Sequence, residues 1–199
     1  MSDIRAIIGL GNPGSRYART RHNAGYWLLD ALAERFQAPL RSERKLLGQH
    51  ARAVIEGRDV HLLAPDTFMN HSGQSIGALA AFYKLAPESL LVVHDELDLP
   101  PGQARYKQGG GHGGHNGLRD TINALSGNRD FYRIRLGIGH PGSAAQVVNY
   151  VLGEPGKGER QAIDASIDAV VETLPLALAG DWSRAMNRLH SFSTDKRPQ

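Results

Sequence analysis

Short apolar runs typical of strands alternate with helical patterns through the first 140 residues, and helical patterns alone follow. The predicted strands are residues 6–10, 51–55, 60–63, 90–93, 104–107 and 132–137. The predicted helices are residues 23–36, 74–83, 118–125, 144–152, 158–179 and 182–192. Because strands and helices are interleaved, the pattern predicts an α/β fold in which helices surround a mixed β-sheet. The short turn at residues 56–58 predicts a hairpin between the second and third strands.

The length and composition limit the class of protein. A chain of 199 residues predicts one domain, over residues 1–193, followed by a disordered tail at 194–199. With 41% hydrophobic and 22% charged residues, the chain has enough apolar side chains to build a core. It contains no cysteine, which excludes disulfides, thiolate metal sites and a cysteine nucleophile.

Nothing in the sequence predicts a membrane or secretory segment. Every apolar stretch is shorter than ten residues, which is too short to cross a bilayer as a helix. The first five residues include Asp3 and do not lead into a long apolar stretch of the secretory kind. We therefore expect no membrane contact, and the absence of cysteine fits a protein of the reducing cytoplasm.

The charges are unevenly distributed, although the formal net charge is only +3. Residues 16–45 carry seven basic and three acidic side chains, and residues 103–140 carry six and two. A short acidic stretch between them contains Asp95, Glu96 and Asp98. This pattern fits a site with a carboxylate inside a rim that binds a polyanion, and it also fits an ordinary mixed surface.

A glycine motif, GLGNPG at residues 9–14, follows the first predicted strand. It matches the dinucleotide-binding pattern in its letters, but that site needs a helix immediately afterwards and an acidic residue about 20 positions on. Pro13 lies inside the motif, and Asp30 lies within a helical pattern. The motif is better interpreted as a tight turn that presents Asn12 at the C-terminal edge of the sheet.

His22 and Asp95 are candidates for one catalytic pair. His22 lies just before the helix predicted to begin at Asn23, and Asp95 follows the apolar strand at 90–93. An aspartate that accepts a hydrogen bond from an imidazole fixes its tautomer and stabilises its protonated form. The alternatives are a structural histidine and an aspartate that caps a turn.

Two further loops carry polar groups suited to a substrate. In the segment TFMNHSG, Asn70 can donate and accept hydrogen bonds. Phe68 and Met69 either fill part of the hydrophobic core or line the wall of a substrate site. The segment at 109–117 contains six glycines and precedes a helix that Asn116 opens, so its first amides are candidate anion donors. A flexible linker is the alternative, and His112 and His115 are weak evidence for a metal.

The chain has no GxSxG motif and no cysteine, so a His–Asp pair would have to activate water directly. Five motifs occur along the chain, namely GLGNPGSRYARTRHNAG, PDTFMNHSG, VVHDELDLPPG, GGGHGGHNGLRD and RIRLGIGHPG, at residues 9–25, 65–73, 92–102, 109–120 and 133–142. Taken in this order, they resemble those of the bacterial peptidyl-tRNA hydrolase family.

This resemblance implies a twisted mixed sheet and an esterase that releases the peptide from the 3′ ribose of tRNA. It implies His22 as the general base and Asp95 as the group that orients it. It assigns contacts with the peptide, the carbonyl or water to Asn12, Met69, Asn70, Gly113 and Asn116. Asn12 in particular would separate N-blocked from free aminoacyl-tRNA.

The resemblance also implies how tRNA is held. Contacts with the acceptor stem and 3′ CCA end fall to Tyr17, Phe68, Asn70, Asn116, Arg105, Lys107 and Arg135. Arg105 departs from the family, in which many members carry lysine. The resemblance further implies a monomer that needs no metal and no cofactor.

Two other functions stay open on the sequence. A plant organelle splicing factor resembles the same family, so a protein of this fold that binds RNA without turnover is one alternative. A nucleotide-cofactor enzyme built on the GxGxxG match is the other.

Overall fold

The computed structural model describes residues 3–192, which form a single α/β unit. Its strands are β1 (Ala6–Gly9), β2 (Arg41–Glu43), β3 (Gly48–Ile55), β4 (Arg58–Pro65), β5 (Leu90–Glu96), β6 (Ala104–Gln108) and β7 (Tyr132–Gly137). Its α-helices are α1 (Ala24–Arg35), α2 (Ser72–Tyr83), α3 (Asn116–Ala124), α4 (Val147–Val151), α5 (Lys157–Leu178) and α6 (Trp182–Ser191). The tail predicted at 194–199 lies outside the described residues, so the domain boundary stays a prediction.

The seven strands form one mixed sheet in the order β2-β3-β4-β1-β5-β7-β6. The strands β4, β1, β5 and β7 are parallel to one another, and β2, β3 and β6 are added in antiparallel fashion. The predicted mixed sheet and the β3–β4 hairpin are therefore confirmed. Because β1 and β5 are neighbours and run the same way, the loops that follow them meet at one edge.

The core occupies both faces of the sheet. One face packs against α1, α5 and α6, with fully buried side chains such as Leu28, Ile134 and Val170. The other face packs against α2 and α3 through Ile8, Ile76 and Phe131. This two-sided burial explains why the inner strands are apolar without alternation.

A close crossing fixes the start of α1 against the end of β1. A Cβ atom added to Gly9 would lie 2.3 Å from the carbonyl oxygen of Gly25, and one added to Gly25 would lie 2.5 Å from that of Leu10. Both positions therefore require glycine for steric reasons. The crossing places the 3₁₀ turn Arg21–Asn23, which carries His22, beside the loop that follows β1.

Three details differ from the sequence-based expectations. Strand β2 was not predicted, and β5 continues to Glu96, so Asp95 lies within the strand rather than beyond its end. The segment 144–152 is a 3₁₀ turn, Ala144–Gln146, followed by the short helix α4. Among residues 3–192, no helix has both the length and the apolar character that a bilayer crossing requires.

Candidate active site

A cleft of about 660 Å³ opens at the edge of the sheet where β1 and β5 end. Its polar wall contains the predicted residues Asn12, His22, Asn70, Asp95 and Asn116. Its apolar wall is formed by Leu97 and by side chains of α4 and its ends, namely Val147, Val148, Val151 and Leu152. The predicted residues Met69, Lys107, Gly113 and Arg135 also line the cleft.

At the centre of the cleft, Asp95 is hydrogen-bonded to two histidines. Its Oδ2 lies 2.8 Å from Nδ1 of His22, and its Oδ1 lies 2.8 Å from Nε2 of His115. Asp95 is only 3% exposed, so each carboxylate oxygen is paired as a buried charge requires. His115 was predicted only as a weak metal ligand, and its contact with Asp95 was missed.

The hydrogen bonds define the tautomers of both imidazoles. Nδ1 of His115 accepts from the backbone N–H groups of Gly117 and Leu118, at 3.1 and 3.3 Å, so its proton is on Nε2. The carboxylate of Asp95 can only accept, so Nδ1 of His22 donates to it. Neutral His22 therefore has its lone pair on Nε2, which has no hydrogen-bond partner among the described residues.

The electrostatics of this centre follow from burial and charge. Burial alone would raise the pKa of Asp95, but His22 and His115 together hold that pKa well below its usual range. Burial alone would lower the pKa of His22, but the Asp95 carboxylate offsets this and the pKa is raised. Asp95 is thus ionised at neutral pH, and His22 is a stronger base than an isolated histidine.

The loop that follows β1 is held in place by Asn23. Asn23 Oδ1 accepts from the backbone N–H of Asn12, and Asn23 Nδ2 donates to the carbonyl oxygen of Asn12, both at 2.9 Å. The helix predicted to begin at Asn23 begins one residue later, at Ala24, and the Asn23 side chain does not cap it because both of its polar atoms are bonded to Asn12. Asn12 Oδ1 in turn accepts from the N–H of Met69 at 2.7 Å, and its Nδ2 has no hydrogen-bond partner within residues 3–192.

The glycine-rich loop has more structure than a linker. Arg133, which is 2% exposed, donates from its guanidinium group to the carbonyl oxygens of Gly110 and Gly111. At the other end of the loop, His115 caps α3 through the amides of Gly117 and Leu118. The expectation that these first amides are free to bind an anion is therefore wrong, because a histidine already occupies them.

The remaining predicted residues surround this centre. Asn70 and Asn116 are exposed in the cleft, and Asn116 Oδ1 accepts from Arg119 at 3.1 Å. Gly113 adopts a φ of +57° at the cleft, in open space. Met69 is buried beneath Asn12, so it belongs to the core as well as to the cleft wall.

The predicted tRNA contacts divide into two groups. Tyr17 and Phe68 lie edge to face with ring centroids 6.2 Å apart, outside the cleft lining, and Phe68 is 56% exposed. In the second group, Lys107 is exposed at the cleft, while Arg135 pairs with Glu96 at 2.8 Å. Arg105 lies opposite Arg135 on the neighbouring strand but does not line the cleft.

Two other kinds of site can be weighed against this geometry. Among the described residues, His22, Asp95 and His115 have donor atoms within 4.8 Å of one another, which a divalent metal would require. A metal there would displace both 2.8 Å hydrogen bonds, and the absence of a metal stays a prediction. No described helix begins at the GLGNPG turn, since α1 starts at Ala24, so the dinucleotide pattern lacks its structural context.

Comparison with known proteins gives a consistent result. The family model described as peptidyl-tRNA hydrolase matches residues 6–197. A peptidyl-tRNA hydrolase of Chromohalobacter salexigens is 64% identical over 97% of this chain and all of its own length. That of Haemophilus influenzae is 52% identical over 96% of this chain and 99% of its own. The crystal structure of peptidyl-tRNA hydrolase from Acinetobacter baumannii superposes with a TM-score of 0.93 at 47% identity, covering 97% of both chains. The predicted resemblance is confirmed, and the chain belongs to the peptidyl-tRNA hydrolase family.

Proposed function

We propose that this chain hydrolyses the ester bond between a peptide and the 3′ ribose of tRNA, with water as the attacking group. The observation that carries the proposal is the hydrogen-bonded series His22–Asp95–His115 at the centre of an open cleft. It provides a base whose Nε2 has no partner among the described residues, a buried carboxylate that orients this base, and a second imidazole that orients the carboxylate.

In this mechanism, Nε2 of His22 accepts a proton from a water molecule as that water attacks the ester carbonyl. The imidazolium that forms is stabilised by Asp95, which is ionised because His22 and His115 hold its pKa low. The proton then passes to the departing ribose oxygen, so the products are free tRNA and a peptide with a carboxyl end. No covalent enzyme intermediate is required.

The amide side chains supply the polar contacts. Asn70 and Asn116 both line the cleft, where their Nδ2 groups can donate to the carbonyl oxygen as it gains negative charge. We assign the same two residues, with Gly113, to hold the substrate and the water. Met69 forms the floor of the cleft beside Asn12.

Asn12 is suited to recognise a blocked amino group. Because its Oδ1 is occupied by the Met69 amide, it presents only the Nδ2 donor. A donor pairs with the carbonyl oxygen of a peptide or acyl group, but it cannot pair with an ammonium group, which has only donors itself. Asn12 thereby favours N-blocked over free aminoacyl-tRNA.

Replacing Asn12 by aspartate should therefore weaken this discrimination. In N12D the second carboxylate oxygen faces the cleft as an acceptor and a negative charge, which attracts the free ammonium group. We expect the ratio of kcat/KM for N-acetyl-aminoacyl-tRNA to that for free aminoacyl-tRNA to fall about tenfold or more. Asn187→Asp, which adds the same charge on an exposed side chain of α6 outside the cleft lining, is the control. An unchanged ratio in N12D would remove Asn12 from this role.

The tRNA itself is proposed to lie across the mouth of the cleft. The Tyr17–Phe68 pair offers an aromatic surface for bases of the 3′ CCA end, since bases stack on such rings. Lys107 and Arg135, with Arg105 beside them, offer positive charge to acceptor-stem phosphates. Lys107 has no carboxylate partner among the described residues, whereas Glu96 partly neutralises Arg135. The monomeric state and cytoplasmic location that the sequence predicts remain part of this proposal.

Lys107 provides a direct test of this arrangement. Each phosphate contact releases condensed counterions, so its loss flattens the dependence of log Kd on log salt by about one. We expect Lys107→Gln to weaken tRNA binding and to reduce the slope by that amount, as measured by filter binding over a salt series. Lys84→Gln removes an equal charge at the end of α2, away from the cleft, and should leave the slope unchanged. Identical slopes for wild type and Lys107→Gln would exclude the contact.

A further inference from the structure

Arg21, the residue before His22, is an almost fully buried cation whose partners lie far away in the chain. It is 9% exposed, and its guanidinium group faces the segment that joins α4 to α5. A buried arginine needs several acceptors to offset its lost hydration. In this chain those acceptors come from residues about 130 positions further on.

The contacts of Arg21 are numerous and specific. Its Nε and Nη2 donate to the carboxylate of Glu159 at 3.1 to 3.3 Å, which makes a bidentate ion pair. Its Nη1 donates to the carbonyl oxygen of Tyr150 at 3.1 Å, and the guanidinium group lies 4.0 Å from the centre of the Tyr150 ring. Its backbone N–H donates to the carbonyl oxygen of Gly153 at 3.0 Å.

The same contacts connect α4 to the strand that carries Asp95. The Tyr150 hydroxyl donates to the carbonyl oxygen of Ile138 at 2.6 Å, and the N–H of Ile138 donates to the carbonyl oxygen of Glu96. Arg21 and Tyr150 therefore tie α4 to both segments of the catalytic pair, the turn with His22 and the end of β5.

Helix α4 forms part of the apolar wall of the cleft, and its Val147 and Tyr150 pack against the core. It is five residues long, and Val148 and Leu152 are 66% and 40% exposed. Only Val151 of this helix is buried. A helix this short is not stable alone, so its position depends on these apolar contacts and on the polar contacts at its C-terminal end.

We propose that Arg21 is a positioning residue. Through Glu159 and Tyr150 it holds α4, and the apolar wall that α4 forms, at a fixed position relative to His22. This inference rests on the proposed function, because it assigns the wall to the apolar side chain of the substrate's blocked amino acid. An apolar side chain that packs on α4 then brings the ester carbonyl to the base. A substrate with glycine in that place does not use the wall.

The test compares Glu159→Gln with Glu154→Gln. Glu154 lies near the same junction, is exposed and is 3.8 Å from Arg19, so each variant removes one negative charge and one ion pair. KM and kcat are measured with N-acetyl-leucyl-tRNA and N-acetyl-glycyl-tRNA. For Glu159→Gln we expect KM for the leucyl substrate to rise about tenfold, which corresponds to one charge-assisted hydrogen bond, and KM for the glycyl substrate to change little. Glu154→Gln should behave as wild type, and Arg21→Lys should be intermediate.

A second readout does not depend on turnover. Amide hydrogen exchange in residues 147–152 should be faster in Glu159→Gln than in wild type or Glu154→Gln. The inference is overturned if the two substrates are affected equally, if both glutamine variants behave alike, or if Glu159→Gln only lowers Tm while leaving exchange in α4 and both KM values unchanged. If wild type releases no tRNA, the proposed function fails, and the exchange experiment alone decides whether Arg21 holds α4.

Discussion

Replacing His22 by alanine is expected to remove almost all hydrolysis of N-acetyl-aminoacyl-tRNA. The variant lacks Nε2, the nitrogen that we propose as the acceptor of the proton from water and that has no hydrogen-bond partner in the described part of the chain. Loss of a positioned general base costs about 10²–10⁴ in rate. Single-turnover release of tRNA with enzyme in excess measures this step directly, because product release does not limit it.

Two controls make this prediction specific. Circular dichroism and tRNA binding should match wild type, because Asp95 keeps its hydrogen bond to His115 in the variant. His71→Ala removes an exposed histidine outside the cleft lining and should leave the rate unchanged. A folded His22→Ala protein with full activity would contradict the proposed mechanism.

Asp95→Asn is expected to produce the second large loss, through the tautomers of the two histidines. The carboxylate accepts from both imidazoles at once through its two oxygens. A carboxamide cannot do this, because its oxygen accepts but its NH₂ group only donates. His115 is already fixed with its proton on Nε2 by the amides it caps, so the carboxamide oxygen faces His115. Its NH₂ group then faces Nδ1 of His22 and moves the His22 proton to Nε2. We expect kcat to fall about 10²–10⁴-fold.

The pH dependence provides a separate test of Asp95. His22 acts only when neutral, so activity falls as the pH drops through its pKa, which Asp95 raises above the ordinary 6.5. Without the carboxylate, burial dominates and that pKa falls. In Asp95→Asn the acid limb of kcat/KM, measured from about pH 5 to about pH 8, should move to lower pH. A limb at the wild-type position would mean that Asp95 does not set the pKa of the base.

Much of the site could be predicted because the fold is built from parallel strands. The apolar runs at β1 and β5 identify buried parallel neighbours, and residues that follow such strands converge at one sheet edge. That argument alone brings Asn12 and Asp95 together. The glycines at positions 9 and 25 then bring the His22 turn to the same edge.

The parts that were missed depend on long-range contacts. Strand β2, Arg41–Glu43, is three polar residues at a sheet edge and has no apolar alternation to reveal it. His115 lies just before a predicted helix, which is a capping position, but only the folded glycine loop brings its other nitrogen to Asp95. Arg133 is in a strand and is buried by the same loop.

The pairing of Arg21 with Glu159 is a stronger example of a long-range contact that the sequence does not predict. The two residues are 138 positions apart, and nothing in the local sequence around either one indicates the other as its partner. Local periodicity predicts helices and strands because it depends on neighbours in the chain. An ion pair between a 3₁₀ turn and a distant helix depends on the packing of the whole sheet.

The central claim is that this cleft hydrolyses blocked aminoacyl-tRNA, and one measurement tests it most directly. N-acetyl-aminoacyl-tRNA is mixed with excess wild-type protein, and free tRNA is followed over time beside the fraction of tRNA bound. The mechanism predicts that tRNA is released within a single turnover and that the acetyl-amino acid appears with a free carboxyl group. Tight binding of tRNA with the ester left intact would contradict it and would instead indicate an RNA-binding protein on the same fold.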